Sequence, residues 1–281
     1  AAGIRGNQEA IAAWQAAPDT PEQLASIPRL RLDQVPKEPE KLPFAEERTA
    51  GITLLRHELR TNGITYLNLY FALDDFTPDE LAKASFMARL FGCLDTASYA
   101  LADLHREMRS LFGSIQFAVE AYGQQNVPTR CRTFLCAACS VLDTKLEKAL
   151  SFLTELLMGQ RWDDPERVLV FLRQHRAAMA EQAVMAGHNA AMSRVLACST
   201  AEGAVQEQAG GITFLRWLAD LERDFPARFP ALAEELKGLA RRVFCRARMT
   251  ASITGGNKPA AEAAVRILSG SLPEGVFAPP A

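Results

Sequence analysis

The chain has 281 residues, of which 48% are hydrophobic and 23% charged, a mix that excludes collagen-like, fibrous and wholly disordered proteins. Lys and Arg number 31 against 33 Asp and Glu, a formal charge of −2; with no basic excess to neutralise phosphates, nucleic acid is excluded as a partner. No apolar run approaches the ~20 residues of a membrane-spanning helix, and residues 1–6 lack the basic and apolar regions of a signal peptide. The expectation is a soluble globular chain with no membrane partner. The absence of an initiator Met points to a processed or excised fragment. Six cysteines, Cys93, Cys131, Cys136, Cys139, Cys198 and Cys245, sit in apolar contexts, as expected of thiols kept reduced in a cytosol-like compartment.

In chain order, residues 7–16 (NQEAIAAWQA) read as the end of a helix. Six prolines, Pro18, Pro21, Pro28, Pro36, Pro39 and Pro43, then follow within a short stretch. Each removes a donor and biases its predecessor toward extended backbone, so this stretch predicts a linker or surface strap. The compact part begins near Gly51. Residues 51–74 predict two strands joined at Asn62-Gly63, a strong hairpin signal. In the second strand Leu67, Leu69, Phe71 and Leu73 alternate with Tyr66, Asn68, Tyr70 and Ala72, the pattern of a half-buried sheet strand. Thr77-Pro78-Asp79-Glu80 combines an N-cap, Pro at the first helical position and a capping-box Glu, and predicts a helix to about Phe91. A second helix is expected from Ser98, closed by Gly113.

Further on, Ile115, Phe117, Val119 and Ala121 alternate with Gln116, Ala118, Glu120 and Tyr122, and residues 130–141 predict the next strand. From Asp143 to about Gln208 the pattern is helical, with Asp143 expected to cap the first helix, Gly159 to end it and Asp164-Pro165 to start a long second one. Gly210-Gly211 breaks the chain before an amphipathic helix carrying Phe214, Leu215, Leu218 and Leu221. Another helix is expected from about Pro226 to Cys245, then a strand at 248–254 and a helix near 258–270. Helices segregated on one face of a sheet, the α+β class, bury every oily stripe in this order.

Self-sufficient chemistry is missing from the sequence. None of the four histidines, His57, His105, His175 and His188, falls in H-x-x-E-H or H-E-x-x-H, the spacings that put two zinc ligands on one helical face. His175 and His188 are roughly 220° apart on a helix at about 100° per residue, too far round to share an ion. Cys131-x4-Cys136-x2-Cys139 begins an iron–sulfur spacing, but along a strand Cys136 points away from the other two. Residues 254–259 (TGGNKP) lack a phosphate-loop pattern. Arg241, Arg242, Arg246 and Arg248 are expected to form a solvated helix end. Neither Cys131 nor His188 has a partner spaced to activate it for catalysis.

Residues 61–73 (TNGITYLNLYFAL), 103–123 (DLHREMRSLFGSIQFAVEAYG) and 187–222 (GHNAAMSRVLACSTAEGAVQEQAGGITFLRWLADLE) together resemble the third domain of presequence-protease-type enzymes, in the pitrilysin or insulinase class of zinc metallopeptidases. Residues 19–32 (DTPEQLASIPRLRL) resemble the connector between the halves of those enzymes, and 142–164 also fits. The resemblance implies four α+β domains closing around a chamber. It implies zinc held by an H-x-x-E-H helix in the first domain, and an assisting Arg and Tyr in the fourth. Neither set carries over to this chain. By that resemblance, 1–45 is a remnant of the connector and proline-rich strap, and 46–281 a single non-catalytic α+β domain. It would enclose unfolded peptides together with the other domains of its polypeptide, in a bacterial cytoplasm or organellar matrix. Zinc belongs to the parent, and none is expected on this chain. Tyr66, Asn68, Tyr70, Gln116 and Glu120 are the candidate substrate-binding residues, because aromatic rings and polar tips on one sheet face suit extended peptides. The alternative is a stand-alone binding or assembly module of the same fold.

Overall fold

The computed structural model describes residues 2–38, 41–255 and 258–278, in two units, Ala1–Leu42 and Pro43–Ala281. The first unit carries α1 (Ala2–Ala16) and α2 (Pro21–Ser26). Thr20 caps α2 by accepting from the Gln23 amide, and Pro21 opens the helix, where its missing N–H costs nothing.

The second unit is built on six strands: β1 (Ala45–Thr49), β2 (Ile52–His57), β3 (Ile64–Ala72), β4 (Phe112–Gln124), β5 (Val127–Leu142) and β6 (Met249–Thr254). They lie in the order β1-β2-β6-β3-β5-β4, antiparallel at every junction except β2 with β6. The helices are α3 (Pro78–Leu90), α4 (Leu101–Leu111), α5 (Leu146–Met158), α6 (Pro165–Met185), α7 (Gly187–Ser199), α8 (Ala201–Gly210), α9 (Ile212–Arg223), α10 (Phe225–Val243) and α11 (Lys258–Ser271). This is the expected α+β architecture, a largely antiparallel sheet with helices on one face.

The alternation read in the sequence decides which side of the sheet is core. Leu67, Leu69 and Phe71 of β3, Leu135 and Ala137 of β5, and Ala251 and Ile253 of β6 are at most 1% exposed. They share one cluster with Phe86, Met87 and Leu90 of α3, Leu150 and Leu153 of α5, and Leu236 and Val243 of α10. Burying each such side chain is worth about 1.5–3 kcal/mol. Phe71 and Phe91 both meet Phe244 edge to face, with centroids 5.0 and 5.6 Å apart.

Several local expectations are corrected. Asn62 and Gly63 do form a turn with positive φ (53° and 84°), but β2 and β3 are not a hairpin. Strand β6 lies between them, parallel to β2 and antiparallel to β3; residues 58–63 are long enough to step over one strand at about 4.8 Å per interstrand gap. The two-residue hairpin joins β1 to β2 through Ala50 and Gly51, both at positive φ (53° and 79°), so the sheet begins at Ala45, ahead of the expected start near Gly51. Gly113 does not close α4: the chain runs from Leu111 directly into β4. Asp143 does not cap α5. It lies in a 3-10 turn and its carboxylate accepts from Thr65 Oγ1 at 2.7 Å. The arginine cluster is not simply solvated, since Arg248 is 5% exposed and forks onto Asp75, which Arg242 also binds. The guanidinium of Arg248 holds the Asp75 carboxyl well below the usual carboxylate range. The turn at 254–259 includes residues 256 and 257, outside the described residues.

Candidate functional site

Directly paired residues in a sheet project to the same side, so register assigns the face opposite the core. Asn68 pairs with Ala138, and Ala138 with Gln116. Tyr66 pairs with Ser140, and Ser140 with Ser114; Tyr70 pairs with Cys136, and Cys136 with Ala118. Glu120 pairs with Phe134. All five residues singled out from the sequence, Tyr66, Asn68, Tyr70, Gln116 and Glu120, therefore stand on one side of three adjacent strands. Tyr66 is 45% exposed and Gln116 is exposed, while Asn68, Tyr70 and Glu120 are half-buried.

The face has internal structure that sequence reasoning missed. Tyr70, Tyr122 and Phe134 form a triangle with centroids 5.8–6.0 Å apart, each pair edge to face. The Tyr122 hydroxyl donates to Glu120 Oε2 at 2.5 Å. The Arg132 guanidinium lies 5.3 Å above the Phe134 ring and pairs with Asp74 at 2.8 Å. Cys136 is only 5% exposed although it faces this side. Tyr122 has the same strand parity as Gln116 and Glu120, so alternation could have flagged it. Phe134 and Cys136 needed the β5 register.

Electrostatics set the protonation of this face. Burial pushes the Tyr70 phenol up. Burial, then the Glu120 carboxylate, pushes Tyr122 up; the same two causes raise the Cys136 thiol. All three groups keep their protons at neutral pH and offer O–H, S–H and ring faces rather than a nucleophile. On the core side burial pushes Cys139 up to about 12. Cys136 stands on the opposite side from Cys131 and Cys139, as the alternation requires.

The four histidines lie apart. His57 Nδ1 is 3.3 Å from the Pro43 carbonyl and His105 Nε2 is 2.7 Å from that of Gly92. His175 stacks on Phe171, and His188 lies in α7. Among the described residues no three His, Cys, Asp or Glu side chains are grouped so as to hold a metal ion. Among the described residues the donors do not fit a zinc site.

The fold defines an α+β sheet domain with helices on one face. A family model for the domain associated with M16 peptidases of subfamily C matches residues 2–221, and the chain belongs to that family. It is 28% identical over 241 residues to Protein HypA of Clostridium perfringens, covering 86% of this chain and 25% of that protein. It is 24% identical over 244 residues to Presequence protease 1, chloroplastic/mitochondrial, of Arabidopsis thaliana, covering 87% of this chain and 22% of that protein. The chain thus spans about a quarter of the length of these relatives. Its fold is shared with the crystal structure of a peptidase M16 inactive domain from Pseudomonas fluorescens. There the TM-score is 0.58 and the identity 17%, over 83% of this chain and 52% of that one. A conserved protein from Enterococcus faecalis V583 superposes with a TM-score of 0.60 at 12% identity, over 83% and 53%. No helix among the described residues is long and apolar enough to cross a membrane.

Proposed function

We propose that this chain is the non-catalytic, chamber-forming third domain of a zinc-dependent metalloendopeptidase that degrades unfolded peptides, and that its open sheet face lines the chamber. Residues 46–281 are that domain and 1–45 the remnant of the connector from the preceding half. The partners are the other domains of the same polypeptide and unfolded peptides, in a bacterial cytoplasm or an organellar matrix. Zinc belongs to another domain, where it would activate water for peptide hydrolysis. This chain positions substrate, and orientation supplies a large share of a barrier reduction.

The observation that supports this reading is the shared side of Tyr66, Asn68, Tyr70, Gln116 and Glu120, set by register. Rings contact many side-chain types, amides and carboxylates pair with peptide main chain, and together they accept extended chains of varied sequence. The test is the double substitution Tyr66→Ala with Tyr70→Ala in the longer polypeptide. Peptide binding should weaken several-fold while the melting temperature moves little. Unchanged steady-state constants on several long peptides, with folding intact, would remove the face from substrate binding.

A further inference from the structure

The two edges of the sheet are treated differently by the sequence. Strand β1 is five residues long and three of them are charged, Glu46, Glu47 and Arg48, the usual protection of an edge against unwanted pairing. At the other end, β4 is thirteen residues long, contains no proline and carries a single charge, Glu120. Among the described residues no backbone group of 113–124 hydrogen-bonds to anything except its own sheet partner. Every second residue of an edge strand turns its N–H and C=O outward, so a row of main-chain donors and acceptors faces away from β5.

The side chains beside that row are also incomplete. On the core side Ile115 pairs with Cys139, Phe117 with Ala137 and Val119 with Leu135. The β5 members of these pairs are 5%, 1% and 0% exposed, whereas Ile115, Phe117 and Val119 are only half-buried against the core. Helices α3 and α8 pack against this side of β4, Phe91 meets Phe117 with centroids 4.9 Å apart and Ala121 is buried, yet Ile115, Phe117 and Val119 each keep part of their surface exposed along the edge. On the opposite side the same strand presents Gln116, Glu120 and Tyr122 beside the aromatic triangle.

We propose that β4 takes an extended peptide as an added seventh strand. This rests on the peptide-binding reading above and deepens it, because it assigns the main chain of the peptide, rather than its side chains, as what is recognised. An added strand satisfies the outward groups of β4. It sets alternate side chains against the exposed outer parts of Ile115, Phe117 and Val119, and the intervening ones beside Gln116, Glu120 and Tyr122. Such binding tolerates many sequences and favours an apolar residue at every second position. Nine residues, from Ser114 to Tyr122, offer roughly 30 Å of edge at about 3.4 Å per residue.

The experiment uses the full chain and a fluorescein-labelled peptide of about ten residues, alternating Val and Lys, with a counterpart whose central amides are all N-methylated. Binding is read by anisotropy, and amide hydrogen exchange is followed in 113–124. The expected result is that the unmodified peptide slows exchange in 113–124 by about tenfold and that the methylated one binds at least about tenfold more weakly. If the peptide binds while exchange in 113–124 stays unchanged, the added-strand inference fails and the open-face reading survives. If neither peptide binds up to about 1 mM, the peptide-binding reading itself falls and takes this inference with it. A chain that sediments as a dimer, with 113–124 protected before any peptide is added, would give the edge to a second copy and overturn the proposal.

Discussion

In β3, Leu69 is completely buried, and its neighbour Asn68 stands half-buried on the open side. Leu69→Ala should cost about 2–5 kcal/mol, the transfer loss plus an unfilled cavity, and Asn68→Ala should cost less than about 0.5 kcal/mol. Equal shifts in thermal melting would mean that the assignment of the two faces is wrong. His175 gives a second prediction at this scale. Its ring stacks on Phe171 with centroids 5.6 Å apart, and among the described residues its buried Nε2 has no hydrogen-bond partner. Burial first, and the Arg89 cation second, bring its pKa down from 6.5 to about 4. The unfolded chain therefore binds a proton between those values that the folded chain refuses. Stability from this group is full above about pH 6.5 and is lost as pH falls toward 4. Urea midpoints at pH 7.5 and 4.5 should differ less in His175→Phe than in the parent; an identical pH slope would discard the assignment.

At the scale of elements, capping signals were legible because they are local. Thr77 accepts from the Glu80 amide and Glu80 reaches back to the Thr77 amide at 2.8 Å, as Thr-Pro-Asp-Glu prescribes. Thr77→Ala should cost about 1 kcal/mol, measured by denaturant unfolding; no change would show that the tertiary contacts of α3 alone fix its start. A cap that was not legible lies between α8 and α9. The Glu207 carboxylate, 4% exposed, accepts from the Thr213 amide and hydroxyl and from Arg194. A side chain on Gly211 would put its Cβ 2.1 Å from Glu207 Oε2. Gly211→Ala should therefore destabilise by about 1–3 kcal/mol, even though the backbone at Gly211 (φ −88°) suits any residue. An unchanged melting temperature would mean that the carboxylate relaxes without loss. Gly210-Gly211 announced a break in the sequence; the reason for the second glycine is the Glu207 carboxylate one turn back on the helix that Gly211 caps, folded over the start of α9.

For the whole molecule, the absence of H-x-x-E-H and the opposed faces of Cys136 and Cys139 predict that the purified chain carries no stoichiometric zinc and hydrolyses no peptide. Metal analysis of a chelator-free preparation checks the first point. Chelator-sensitive cleavage by the isolated chain would overturn the non-catalytic reading. The sequence determined what depends on near neighbours: the two-residue period that buries Leu67, Leu69 and Phe71, the helix starts at Thr77 and Asp164, and the separation of Cys136 from its neighbours. These follow from side-chain geometry within a strand or one helical turn. Only the tertiary structure decided the order of the strands. Residues 249–254 enter between β2 and β3, which adjoin in sequence, because there Ala251 and Ile253 join the buried core face, and burial of that apolar face, not chain proximity, selects the pairing. It also decided that Tyr70, Tyr122 and Phe134 meet, and that β4 is left at the edge with its outer main chain unpaired. Register and strand order set both, and neither is written within any stretch short enough to be read alone.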